Sequence, residues 1–274
     1  MQSPRARALY IPHGGGPLPL LDDPGHTELV EALRGLGRGL GRELGRPSAI
    51  LIISAHWEEP EVRVTTRATP KLLYDYYGFP REAYEIRYPA PGDSALSGRV
   101  LESLTAAGIP ARSEDTRGFD HGVFVPLALM YPEADIPCVQ VSLVRGLDPR
   151  AHLELGRALS ALAGENLLVL GSGFSFNNMR EFFTPAYGEF DPRNESFQAW
   201  LVETCVSPNL PDEERGKRLE NWERAPHARY CHPREEHFLP LHVCAGFAAR
   251  PASRFWSWTV LGKRASAFLW EPGA

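Results

Sequence analysis

The chain is expected to form an α/β fold, a single domain with a central mixed sheet flanked by helices. Two observations point to it. Short apolar runs suited to buried strands alternate with longer stretches of helical periodicity. Histidines also stand just beyond two of the strand-like runs, at strand C-terminal ends, where open α/β sheets gather their ligand-binding groups. The 274 residues, 43% of them hydrophobic, are enough for one full core. No repeat, low-complexity tract or linker interrupts them, so 1–274 reads as one domain.

The first strand-like run is Ala8 to Ile11, followed by Pro12-His13-Gly14-Gly15-Gly16-Pro17. Three glycines let the backbone turn sharply there and leave the His13 imidazole in open space. A helix is expected from Thr27 to Leu44, although Gly35, Gly37, Gly39 and Gly41 each cost about 1 kcal/mol against alanine, so packing must hold it. Ala49 to Ser54 is a clean buried-strand run that ends at Ala55-His56-Trp57. The aromatic stretch Tyr74 to Phe79, with Gly78 and Pro80, reads as irregular backbone, and Tyr88-Pro89-Ala90-Pro91-Gly92 as a fixed loop. Helical patterns follow at Ser94 to Ala107 and Pro149 to Ala163, and strands at Cys138 to Leu143 and Leu167 to Gly171. Asp120-His121-Gly122 opens an apolar helix, Val123 to Met130, and an imidazole at that end suits a neutral hydrogen-bonding or proton-transferring role. A plain structural histidine bonded to Asp120 fits the same position. Beyond Phe190, helices are expected at Glu195 to Cys205, Asp212 to Arg224 and His237 to Ala249, then a hairpin of Phe255 to Leu261 and Ala265 to Trp270 around Gly262-Lys263.

Composition narrows the function. A net charge of -5, from 29 basic and 34 acidic residues spread throughout, argues against a nucleic-acid footprint or a polybasic membrane patch. Cys138, Cys205, Cys231 and Cys244 show no CxxC spacing, so buried reduced thiols are expected rather than disulfides or a cysteine zinc site. The N-terminus leads straight into strand, and no apolar stretch approaches the ~18 residues of a spanning helix, so a cytoplasmic protein without membrane partners is expected.

His13, His56 and His237 read together as one metal site. His232, Glu235, Glu236, His237 and His242 crowd the third segment, but not as the HExxH of zinc proteases, because Glu236 directly precedes His237. His26, His152 and His227 lack such context and are expected at the surface.

Taken in order, Pro12-His13-Gly14-Gly15-Gly16-Pro17, Ser54-Ala55-His56-Trp57, Gly118-Phe119-Asp120-His121-Gly122, Pro137-Cys138-Val139-Gln140-Val141-Ser142, Gly171-Ser172-Gly173 and Glu236-His237-Phe238-Leu239-Pro240-Leu241 span nearly the whole chain. This ordered set resembles the class III extradiol ring-cleavage dioxygenases, in their DOPA 4,5-dioxygenase-like branch. The segments Tyr74 to Pro80 and Tyr88 to Gly92 resemble that branch too. The resemblance implies that His13, His56 and His237 hold a divalent metal, Fe(II) or else Zn(II), and that His121 lines the pocket of a catechol-type substrate opened with O2. It also implies a histidine, acting as base or as an additional metal contact, four positions after Gly173, where this chain has Asn177, which cannot usefully accept a proton. Two other classes fit: a catechol-binding homologue of weakened activity, and a zinc hydrolase using Glu235 or Glu236 as base. Tyr74, Tyr76, Tyr77 and Phe79, with Phe174 and Phe176, fit either a wall for a flat substrate or ordinary core, and the wall is preferred only for the Tyr74 to Phe79 loop, where Gly78 and Pro80 mark irregular backbone.

Overall fold

The four apolar runs marked in the sequence become four neighbouring parallel strands, because only a position covered on both faces suits such continuous hydrophobicity. The computed structural model describes residues 5–182 and 190–271; the N-terminal lead-in at 1–4, the span 183–189 and residues 272–274 lie outside the described residues. Strands β1 (Arg7–Pro12), β2 (Ala49–Glu59), β3 (Val62–Thr65), β4 (Ala111–Glu114), β5 (Cys138–Val144), β6 (Leu167–Gly173), β7 (Arg254–Val260) and β8 (Lys263–Trp270) form one mixed sheet. Their order is β4-β3-β5-β2-β6-β1-β8-β7. β5, β2, β6 and β1 run parallel at its centre, β3 joins β5 antiparallel, and β8 joins β1 antiparallel. Ile50 to Ile53, Val139, Val141 and Leu168 to Leu170 are wholly buried there.

The helices are α1 (Thr27–Glu43), α2 (Ser94–Ala106), α3 (His121–Met130), α4 (Pro149–Leu159), the single turn α5 (Met179–Phe182), α6 (Pro192–Val206), α7 (Asp212–Glu220), the single turn α8 (Ala228–Cys231) and α9 (Leu239–Ala248). Packing explains α1 in part. A Cβ at Gly37 would lie 2.0 Å from the Met130 carbonyl oxygen, so α1 and α3 touch backbone to backbone, whereas Gly35, Gly39 and Gly41 face open space.

Several boundaries differ from expectation. β3 and β4 were not anticipated, because both are four residues long and β4 has no buried residue, which leaves no apolar run to see. β2 runs on through His56 to Glu59. α9 starts at Leu239, two residues after His237, with Pro240 in its first turn. α7 stops at Glu220, and Trp222–Arg224 forms a separate 3-10 turn. The late hairpin closes through Leu261 and Gly262, both at positive φ (51° and 73°), as a two-residue turn between twisted strands demands.

Candidate metal centre

Four histidines meet at the C-terminal side of the parallel strands, His56 from within the last part of β2 itself. His13 follows β1 directly, and Gly14, at φ 86°, turns the chain away behind it. That turn is braced by His26, whose Nε2 accepts from the Gly15 N–H at 2.9 Å while its Nδ1 donates to Asp23 at 2.7 Å. His13 Nδ1 lies 3.0 Å from the Ser172 hydroxyl, and that hydroxyl donates to the Gly122 carbonyl. Since the Ser172 proton is committed, His13 Nδ1 is the donor and its Nε2 carries a lone pair.

His56 sits where the pairing of β2 with β5 slips between Ile53 and Glu58, an irregularity that re-aims side chains. Its Nε2 stands 3.0 Å from His13 Nε2. Beneath it the fully buried Asp120 accepts from Ser54 Oγ at 2.6 Å, Gln140 Nε2 at 2.6 Å and Arg117 at 3.1 Å, tying β2, β5 and the start of α3 together. His121 is therefore not bonded through its ring to Asp120. Its Nδ1 pairs with Asp75 Oδ1 at 2.8 Å, and its backbone N–H donates to the same oxygen at 3.0 Å.

His237 is fixed from β6 and β1. A Cβ at Gly173 would lie 2.1 Å from the His237 carbonyl oxygen, so glycine is required for this approach. That carbonyl accepts from the Tyr10 hydroxyl at 3.0 Å and the Phe174 N–H at 2.9 Å. Its ring Nδ1 lies 2.9 Å from Glu236 Oε1 and 2.8 Å from Asn177 Nδ2.

The ring centres of His13, His56 and His237 form a triangle with sides of 4.9, 5.3 and 4.9 Å. His121 lies 5.4 Å from His13 and, tilted by 42°, only 3.9 Å from His56. One ring nitrogen from each of His13, His56 and His121 lies within 4.8 Å of the others, so these residues could also hold a metal. Burial first, then the neighbouring imidazoles, holds His13 and His56 well below the usual histidine range. Both are neutral, as ligation requires. Burial pushes the two carboxyls at the site upward, but hydrogen bonds from His121 hold Asp75 below its ordinary value, and those from His237 bring Glu236 to about 2. The site thus sets the neutral imidazoles of His13 and His56 beside the ionised carboxylates of Asp75 and Glu236.

Two expectations need correction. His26 and His152 are buried, not at the surface; His152 Nδ1 bonds the Asp148 carbonyl at 2.7 Å and its Nε2 accepts from the Val144 N–H at 3.1 Å. Of their two readings Phe174 and Phe176 take the core one, packing against Phe182 with ring centres 5.6 and 5.4 Å away. Of the Tyr74 to Phe79 loop, Tyr76 faces His121 at 5.8 Å, whereas Tyr77 points to solvent. Asp75, Ser172 and His26 were not singled out by sequence reasoning. The first two lay inside motifs already marked, and carboxylate or hydroxyl partners for ligating histidines were the signal to seek.

Residues 7–261 match the family described as the catalytic LigB subunit of aromatic ring-opening dioxygenase. The chain belongs to the LigB family. Among its LigB-family relatives, the dioxygenase tasH of Hapsidospora irregularis is 40% identical over 97% of this chain and 85% of its own length. A 4,5-DOPA dioxygenase extradiol of Beta vulgaris is 40% identical over 87% and 85%, and one of Escherichia coli K12 is 36% identical over 90% and 86%. The crystal structure of an uncharacterized Escherichia coli K12 protein superposes with a TM-score of 0.74 at 30% identity, covering 96% of this chain and 98% of that one. In this LigB-family chain the four histidines fall on the motifs that the resemblance marked.

Proposed function

We propose that the chain is a non-haem, Fe(II)-dependent extradiol dioxygenase that opens a catechol-type ring with O2. The observation that carries the reading is the convergence of four imidazoles, three of which already engage Nδ1 with Ser172, Asp75 or Glu236 and keep the other nitrogen for the shared space. Relatives bearing the name 4,5-DOPA dioxygenase extradiol support the substrate class.

The donor set fits a divalent metal. Two Nε2 atoms 3.0 Å apart repel unless a proton or a cation lies between them. His13, His56 and His237 are the three we assign to the metal. Rings sharing one ion through bonds of about 2.1 Å stand with centres roughly 4.5–5 Å apart, close to the observed triangle, whereas His121 is stacked too near His56. When bound, a divalent iron supplies adjacent open positions for the diol and O2 and an electron path between them. An all-imidazole set takes zinc as well, so the isolated protein can carry either metal.

The chain's own residues handle position and protons. With Nδ1–H held by Asp75, His121 presents Nε2 to a catechol hydroxyl, takes its proton and can return it to the product. Asn177 cannot do this, so His121 is the proton-transfer residue. Tyr76 stands beside it as the aromatic wall, and the half-open side of the cluster at His56 gives access. Both atoms of O2 enter the product as the carbon–carbon bond beside the diol breaks, leaving a carboxylate and a carbonyl. Four buried free thiols suit a reducing cytoplasmic setting. Among the described residues no helix is long and apolar enough to cross a membrane.

A zinc hydrolase is less favoured, because Glu235 is paired with Arg229 at 2.7 Å and Glu236 is committed to His237. Anaerobic Fe(II) loading followed by oxygen uptake with a panel of catechols tests the proposal. Uptake matched by a yellow ring-opened product is expected; catechol bound to iron-loaded protein with no uptake would instead mark a silent binder.

A further inference from the structure

We infer that Asn177 is a positioning residue for His237, acting through Glu236, and is not merely a site where a base is missing. The inference rests on the metal reading above. Asn177 Nδ2, Glu236 Oε1 and His237 Nδ1 are mutually close: 3.1 Å from Asn177 to Glu236, 2.9 Å from Glu236 to His237 and 2.8 Å from Asn177 to His237. A carboxylate oxygen only accepts and an amide nitrogen only donates. The metal reading puts the His237 lone pair on Nε2, so its Nδ1–H donates to Glu236 Oε1, and an Asn177 N–H donates to the same oxygen.

The amide is held in place. The Asn177 backbone N–H donates to the Cys231 carbonyl at 2.9 Å, and the neighbouring Asn178 side chain donates to the Tyr230 carbonyl at 2.7 Å, so this loop is stapled to α8 at two successive residues. The other oxygen of Glu236 faces Arg234 at 3.3 Å. Glu236 is thus held through Oε1 by Asn177 and His237, while Oε2 has only the charge of Arg234 nearby, an arginine hydrogen-bonded to Glu58. An amide at this position stays neutral at every pH and always offers a donor. It fixes the tautomer and orientation of His237, and partners of this kind commonly change metal affinity by about 10–100-fold when removed.

The test is an anaerobic titration of the metal-free full-length chain with Co(II), without substrate, reading affinity by chelator competition and the visible Co(II) absorption bands. Asn177→Leu is expected to weaken Co(II) binding by about tenfold and to shift the bands. Asn177→His, which can donate an N–H to Glu236, is expected to restore both. In a Glu236→Ala background, which removes the shared acceptor, Asn177→Leu should add no further loss, because its effect passes through Glu236. Wild-type affinity and bands in Asn177→Leu, or a full additional loss in the Glu236→Ala background, would overturn the inference while leaving the metal reading intact. A wild-type chain that binds no Co(II) would overturn both. Thermal unfolding of the metal-free variants controls for folding, and Asn177→Ala serves with the same expectations if the leucine variant does not fold.

Discussion

Histidines of two kinds lie in this molecule, and burial alone does not tell His13 of the site from His26 and His152 outside it. His13 and His152 are both out of contact with solvent, and burial lowers the pKa of both. The difference lies in the second ring nitrogen. His26 and His152 each satisfy both nitrogens within the protein, bracing the Gly14 to Gly16 turn and the end of β5. His13, His121 and His237 each satisfy Nδ1 through an oxygen-bearing side chain and keep Nε2 for a common space. A histidine finished by its own fold is a strut; one left with a nitrogen facing other such nitrogens is a ligand or a proton carrier.

The largest effect that could break this distinction is on metal content. His56→Ala should take bound metal from one per chain to none by elemental analysis after Fe(II) or Zn(II) loading; full stoichiometry in the variant would remove His56 from the ligand set. Next, His121→Phe should lower turnover by about 10²- to 10⁴-fold, the usual scale for losing a positioned proton-transfer group, with much less change in catechol affinity. An equal rate would place His121 among the struts.

A strut should behave in the opposite way. His152→Ala should keep its metal while losing about 1–3 kcal/mol of stability, because the Val144 N–H and the Asp148 carbonyl lose a buried partner. Loss of metal without loss of stability would erase the contrast.

Sequence reasoning reached the central strands, the hairpin and three of the four ends that bring histidines together, because continuous apolar runs and glycine turns leave local signals. His13, His56, His121 and His237 were all marked, and the structure brings them into one cluster. What escaped was non-local. Asp75 reaches His121 across 46 positions and Ser172 reaches His13 across 159, so neither pairing has a local pattern. His26 looked like a surface residue because its partners, Asp23 and the Gly15 N–H, are gathered only once the glycine turn forms. The four-residue strands β3 and β4 are too short to leave an apolar run and depend on sheet pairing.

The smallest effect is on acid stability. Burial holds His242 at about 4, against an ordinary value near 6.5. Below pH 6.5 the unfolded chain takes up a proton there that the folded chain refuses, so stability is intact above that pH and falls as pH drops from about 6.5 to 4, by up to about 1.4 kcal/mol per pH unit. Chemical denaturation of the wild type and of His242→Gln at pH 7 and pH 5 measures this, and the variant should show the shallower decline. Equal slopes would mean that His242 takes up its proton equally in both states.

The most direct test of the account is anomalous diffraction at the iron edge from anaerobically loaded crystals. A single iron peak bonded to the ring nitrogens of His13, His56 and His237, with His121 still paired to Asp75, is the predicted result. A peak bonded to His121 in place of His237, or no ordered iron among the four rings, would contradict it.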